Sequence, residues 1–142
     1  MPEISLSKAR SIVRGILKQG REMGLKPLSV VVLDTGGHVK AFEREDGASP
    51  GRFEIARGKA YGVVMTGMPG SAQIARAEQQ AFFMGALNGA FGGQVIPVPG
   101  GVIVKDGRDR VIGAVGVTGD TSDNDTAAAV AGIEAAGLVA VA

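Results

Sequence analysis

Two short apolar runs, Val30 to Leu33 and Val39 to Phe42, flank Asp34-Thr35-Gly36-Gly37 and limit the fold more than any other stretch. Glycines behind an Asp-Thr pair supply the turn chemistry of a β-hairpin. Strands are therefore predicted over Leu28–Leu33 and from about His38 to Arg44. The only histidine, His38, opens the second strand, and Glu43, Arg44, Glu45 and Asp46 close it ahead of Gly47.

A second hairpin is predicted further on. Pro99 to Lys105 and Arg110 to Thr118 read as strands around Asp106-Gly107-Arg108-Asp109, with Asp-Gly as the turn signal. Gly113 and Gly116 inside the second of these strands imply a bulge or the close approach of another backbone. Gln94 to Val98 is a further candidate strand, interrupted by Pro97.

Helical spacing of Leu6, Ala9, Ile12, Val13, Ile16, Leu17 and Met23 predicts a helix from Ser5 to Gly24, capped by Ser5 or Ser7. Its basic residues fit a solvated face, because the stripe lacks the Trp or Phe anchors of a membrane-surface helix. Arg52 to Thr66 is a second helix, stopped at Met68-Pro69-Gly70. Another begins at Ser71 and ends near Met84, ahead of the irregular, glycine-rich Gly85–Gly93. The last is expected from Thr126 to Ala142. Ser122 and Asp125 form a capping box, and the helix is apolar on every side and so buried on every side. Tight hairpins make the sheet mainly antiparallel, which defines an α+β class rather than a doubly wound one.

The 142 residues suit one domain, 1–142, able to bury its own core. Fifteen basic and fourteen acidic side chains leave a net charge of +1, with no field to draw in nucleic acid or an anionic membrane. Cysteine is absent, which excludes disulfides, thiolate metal sites and a cysteine nucleophile. No apolar run is long enough for a membrane span and no leader pattern opens the chain, so a cytoplasmic location is expected. The 23 glycines imply close backbone contacts.

Several mechanisms fail on spacing. Gly58-Lys59 lacks the glycine and hydroxyl of a phosphate-binding loop, and Gly113-x-x-Gly116-x-x-Gly119 is not a dinucleotide fingerprint. No nucleophile elbow is present. The Asp120–Asp125 run does not match a calcium loop, so no metal site built of protein ligands is expected. Two candidates are left. His38 is either the edge of a turn, or an axial haem ligand or proton shuttle. Arg44, Asp46 and Lys59 are either a surface ion pair with a stray lysine, or a grip on a carboxylate or propionate.

The stretch Val31-Val-Leu-Asp-Thr-Gly-Gly-His-Val-Lys-Ala-Phe-Glu-Arg-Glu-Asp-Gly-Ala48, then Ile55-Ala-Arg-Gly-Lys-Ala60, resembles the GlcG/HbpS family. That family includes the C-terminal domain of PduO-type corrinoid adenosyltransferases. Pro99-Gly100-Gly101-Val-Ile103, Val111 to Gly119, and Asp125 before an alanine-rich helix agree in the same order.

The resemblance implies a mainly antiparallel sheet of about five strands packed against helices, homo-oligomers, and binding of haem or a related tetrapyrrole. With His38 alone, bis-histidine ligation within one subunit is impossible. His38, Tyr61, a methionine or ligation shared between subunits would have to serve. Ile103 stands where the family pattern Gly-Gly-Val-Pro has proline.

The expected function is small-ligand binding, with an anionic ligand held by Arg44, Asp46, Lys59, Gly100, Gly101 and Thr118. The alternative is a cofactor-independent isomerase, tautomerase or lyase for an organic acid. In it Arg44 holds the carboxylate while Asp46, Lys59 or His38 moves a proton. A third reading is an accessory subunit without pocket chemistry.

Overall fold

A computed structural model describes residues 2–142. Five strands form one antiparallel sheet: β1 (Ser29–Leu33), β2 (Val39–Arg44), β3 (Gly101–Lys105), β4 (Val111–Thr118) and β5 (Val139–Val141), in the order β2-β1-β4-β3-β5. Helices α1 (Leu6–Glu22) and α5 (Ser122–Ala135) cover one face, and α2 (Arg52–Thr66) covers the other. α3 (Gly70–Gln79) and α4 (Ala81–Ala90) follow α2. This is the expected α+β class.

Alternation along the strands creates two cores. Val30, Val32, Val115 and Val117 pack against Ile12, Val13 and Ile16 of α1 and Ile133 of α5. Val31, Leu33, Ile103 and Ala114 pack against Ala56, Ala60 and Val63 of α2. β1 is buried along its whole length because both of its faces are covered. β2, at the sheet edge, exposes Lys40, Glu43 and Arg44, and charged side chains deter further strand pairing.

The glycines permit the close approaches implied by composition. α2 lies so near β4 that a Cβ on Gly116 would collide with the Ala56 carbonyl. On the other face α1 and α5 cross at Gly15 and Gly132, where a Cβ on Gly15 would lie 3.1 Å from the Gly132 Cα. α1 starts as expected, with the Ser5 hydroxyl accepting a hydrogen bond from the Lys8 N–H at 3.1 Å.

Five local expectations are corrected. The helix expected to reach Ala142 ends at Ala135, because Gly137 takes a left-handed conformation (φ 80°) and turns the chain into β5. α5 is buried on one side only, with Glu134 and Ala135 exposed. Its cap is Thr121 rather than Ser122, and Asp125 turns inward. Gln94–Val98 forms no strand; Ile96 instead donates to the Gly58 carbonyl of α2 at 3.1 Å. The helix expected to end near Met84 breaks at Gln80 (φ −139°, ψ 64°), and α4 then runs on through the glycine-rich stretch to Ala90.

Candidate functional site

Lys59 and Asp125 come from opposite sides of the sheet and meet at its end. Lys59 is on α2, Asp125 opens α5, and the ammonium lies 3.3 Å from the carboxylate with both side chains buried. The Lys59 ammonium also donates to the Val117 carbonyl at 2.9 Å, and Asp125 accepts from the Asp120 N–H at 2.9 Å.

Gly100 and Gly101 form the slot for this lysine. A Cβ on Gly100 would lie 2.8 Å from the Lys59 Nζ, and one on Gly101 2.6 Å from the Lys59 carbonyl oxygen. Burial pushes the Lys59 pKa down, against the pull of Asp125. Burial pushes the Asp125 pKa up, against hydrogen bonds from Asp120 and Lys59. At 4% exposure, Lys59 presents almost no surface to a ligand. Here it holds layers together.

Thr118 borders the same region. Its hydroxyl accepts a 2.8 Å hydrogen bond from Arg52 Nη1 at the first residue of α2. Thr118 is paired in register with Ser29, which is paired in turn with Arg44. The structure thus gathers Lys59, Gly100, Gly101 and Thr118. Arg44 and Asp46 lie outside this group: both are exposed, and Arg44 Nη1 donates to the Ala48 carbonyl at 2.7 Å. Arg44 and Lys59 do not share a ligand-facing surface, because one guanidinium faces solvent while the other cation is enclosed.

His38 sits at the opposite end of the opening hairpin. Its side chain is 81% exposed, with Nδ1 3.3 Å from Asp34 Oδ1. The same carboxylate oxygen accepts the N–H groups of Gly36 (2.9 Å) and His38 (3.0 Å), which fixes the turn. Desolvation raises the Asp34 pKa, but these N–H groups and the nearby imidazole outweigh it, and the carboxyl sits below its usual range.

An ionised Asp34 next to Nδ1 favours a proton there, leaving the Nε2 lone pair free to face a metal. The turn packs on α2, where a Cβ on Gly37 would lie 3.0 Å from the Tyr61 ring and 3.3 Å from the Met65 methyl. Arg57 lies over the Tyr61 ring at 4.9 Å. Thr35, in the same turn, borders an apolar cavity of about 300 Å³ lined by Val63, Val64, Ile103 and Ala114.

The sequence singled out His38, Lys59, Gly100, Gly101 and Thr118 but not Asp34, Arg52 or Asp125. Asp34 reads as a turn residue and Asp125 as a cap. Arg52 carries no signal beyond opening a helix. Among the described residues, no group of three or more His, Asp or Glu is placed to hold a metal ion. No helix there is long and apolar enough to cross a membrane.

A five-stranded antiparallel sheet, with two helices on one face and α2 on the other, defines the class. The chain belongs to the HbpS-like family, whose profile, described as "Haem degrading protein HbpS-like", matches residues 4–134. Among solved structures, HbpS is 25% identical over 94% of this chain and 90% of its own, with a TM-score of 0.79. The PduOC–heme complex aligns over 94% of each chain at 20% identity, TM-score 0.83. The Klebsiella pneumoniae protein ORFY aligns over 96% of this chain and 92% of its own at 23%, TM-score 0.84. No curated protein sequence matches the chain.

Proposed function

We propose that this protein binds haem or a related tetrapyrrole at the hairpin turn, where His38 would hold the metal. The observation that carries the reading is the Asp34–His38 contact of 3.3 Å, which orients an accessible imidazole as carboxylates behind metal-bound histidines do. Support also comes from membership of a family described by haem degradation, and from likeness to a protein solved with heme. These relatives support binding and do not support the organic-acid enzyme.

The residues around the turn fit such a group. The apolar cavity beside Thr35 would receive one edge of the ring, and Arg57 is the cation on the adjoining α2 surface for a propionate. Tyr61 and Met65 provide apolar contact at Gly37. Bound haem would supply iron redox and oxygen chemistry; this chain's part is to hold and orient the iron through His38. A cavity of about 300 Å³ is smaller than the macrocycle, so the rest of the ring would lie against a second copy of the chain in a homo-oligomer. The expected setting is the cytoplasm.

Hemin titration of the purified protein tests the reading. A saturable Soret shift is expected in wild type and should be lost in His38→Ala. Absence of a saturable shift in wild type, or the same shift in His38→Ala, overturns it.

A further inference from the structure

The Arg44-Glu45-Asp46-Gly47-Ala48 motif has no part in the His38 turn. It builds the wall of a different cavity. Leu28 and Glu45 exchange hydrogen bonds: the Leu28 N–H donates to Glu45 Oε1 at 2.8 Å, and the Glu45 N–H donates to the Leu28 carbonyl at 3.0 Å. The Ala48 N–H donates to the Glu45 carbonyl at 3.1 Å, and Arg44 Nη1 holds the Ala48 carbonyl at 2.7 Å. Gly47, at φ 90°, makes the bend. These contacts fix the loop against the start of β1 and aim it at the N-terminus of α2.

Between loop and helix lies a cavity of about 260 Å³, bordered by Gly47, Ala48, Ser49, Arg52, Gly119 and Lys26. Arg52 is half-buried and forms no ion pair among the described residues. Its guanidinium donates one hydrogen bond, to the Thr118 hydroxyl, which leaves the rest of a five-donor fork free. α2 opens on Gly51, with no side chain capping its first N–H groups, and the helix dipole adds positive potential there.

An independent observation lies on the same sheet face. The Ser29 hydroxyl is fully buried and has no hydrogen-bond partner. Ser29 stands in register between Arg44 and Thr118, on the side of β1 that faces α2, and so neighbours the threonine that accepts from Arg52. Buried hydroxyls are normally paired, and an orphan marks a place where a partner is missing. Asp120, which opens the turn into α5, is occupied by the Lys26 N–H, the Thr121 N–H and the Asn124 amide.

We propose that this cavity is a second binding site, distinct from the His38 turn, and that it takes a small carboxylate. The Arg52 fork pairs with the carboxylate, the Phe53 and Glu54 N–H groups complete its shell (the Arg52 N–H is taken by the Ser49 carbonyl), and Thr118 fixes the guanidinium. The planar fork suits a planar anion, and the cavity admits a molecule of only a few carbons. The motif's charged side chains act here as braces for the wall.

The test is a ¹H–¹⁵N titration of the full chain with sodium acetate, sodium succinate and sodium phosphate, against sodium chloride at equal ionic strength. Acetate or succinate should give saturable shifts at the amides of Gly47, Ala48, Phe53 and Gly119. Arg52→Ala should weaken binding about tenfold or more. Ser49→Glu places a competing carboxylate on the exposed rim, leaves the core untouched, and should do the same. Carboxylates without saturable shifts, shifts retained in both variants, or a response to phosphate alone would each overturn the proposal. Hemin binding through His38 is scored separately, so either site can fail without the other.

Discussion

Lys59 on α2 and Asp125 on α5 clasp hands around the end of the sheet, 3.3 Å apart and buried, joining the layers on its two faces. Hydrophobic packing holds each helix layer to the sheet separately. This pair joins one layer to the other.

Breaking the pair from one side should be more damaging than removing it whole. Lys59→Met leaves a buried carboxylate without its cation, and a loss of about 3–5 kcal/mol is expected in urea unfolding. The double variant Lys59→Met/Asp125→Leu should lose clearly less than the sum of the two single losses. Additive losses would show that the contact contributes nothing as a pair.

Acid should act at Asp120. Its carboxylate accepts from the Asn124 amide and from the Lys26 and Thr121 N–H groups, which lowers its pKa to about 2. Because the folded value lies below the unfolded one, the stabilisation is present above roughly pH 4 and is lost as pH falls towards the folded pKa. A carboxyl ¹³C titration should find its midpoint near 2, and Asp120→Asn should flatten the acid limb of the stability profile. A midpoint near the model-peptide value would refute this.

Gly116→Ala probes the contact between α2 and the sheet. The new methyl meets the Ala56 carbonyl, a backbone atom that cannot rotate away. The expected loss lies towards the upper end of the ~1–3 kcal/mol typical of overpacking, measured by denaturant midpoint. Gly85→Ala is the control, because a Cβ there meets nothing within 4 Å.

Asp34→Ala tests whether the carboxylate orients His38. If it does, hemin affinity falls about tenfold or more although the imidazole is intact, as expected when a ligating histidine loses the carboxylate that holds its other nitrogen. Unchanged affinity would mean that His38 needs no support from Asp34.

α4 carries no charge, packs among the helices and strands only on α3, and exposes Phe82 at 81%. If the proposed homo-oligomer forms through this face, Phe82→Asp should leave the melting temperature of the isolated chain nearly unchanged and reduce the particle size seen by light scattering. An unaltered size would show that α4 is not such an interface.

The hairpins and α2 were legible in the sequence because their signals are local. Asp-Thr-Gly-Gly and Asp-Gly specify turns, and α2 runs from Arg52 to Thr66 as its stripe and the Met68-Pro69-Gly70 stop predict. β5 was hidden because Leu138 to Val141 continue the apolar composition of α5, and only the backbone angle of Gly137 separates them. Gln94–Val98 has strand-like residues, but its Ile96 N–H pairs with α2 and not with a neighbouring strand. The partners of Lys59 and Arg52 were out of reach for another reason. Lys59 is 58 positions from Val117 and 66 from Asp125, Arg52 is 66 from Thr118, and no periodicity carries that information.

Both candidate sites are built on the same 15-residue helix, Arg52 at its first residue and Tyr61 and Met65 in its last turns. With a rise of about 1.5 Å per residue, the ends are roughly 22 Å apart. The backbone contact at Gly116 prevents that rod from bending towards the sheet. Crosstalk between two ligands would then require α2 to pivot as a unit, and the thermodynamic signature would be symmetric: whatever factor one ligand imposes on the other's affinity, it receives in return.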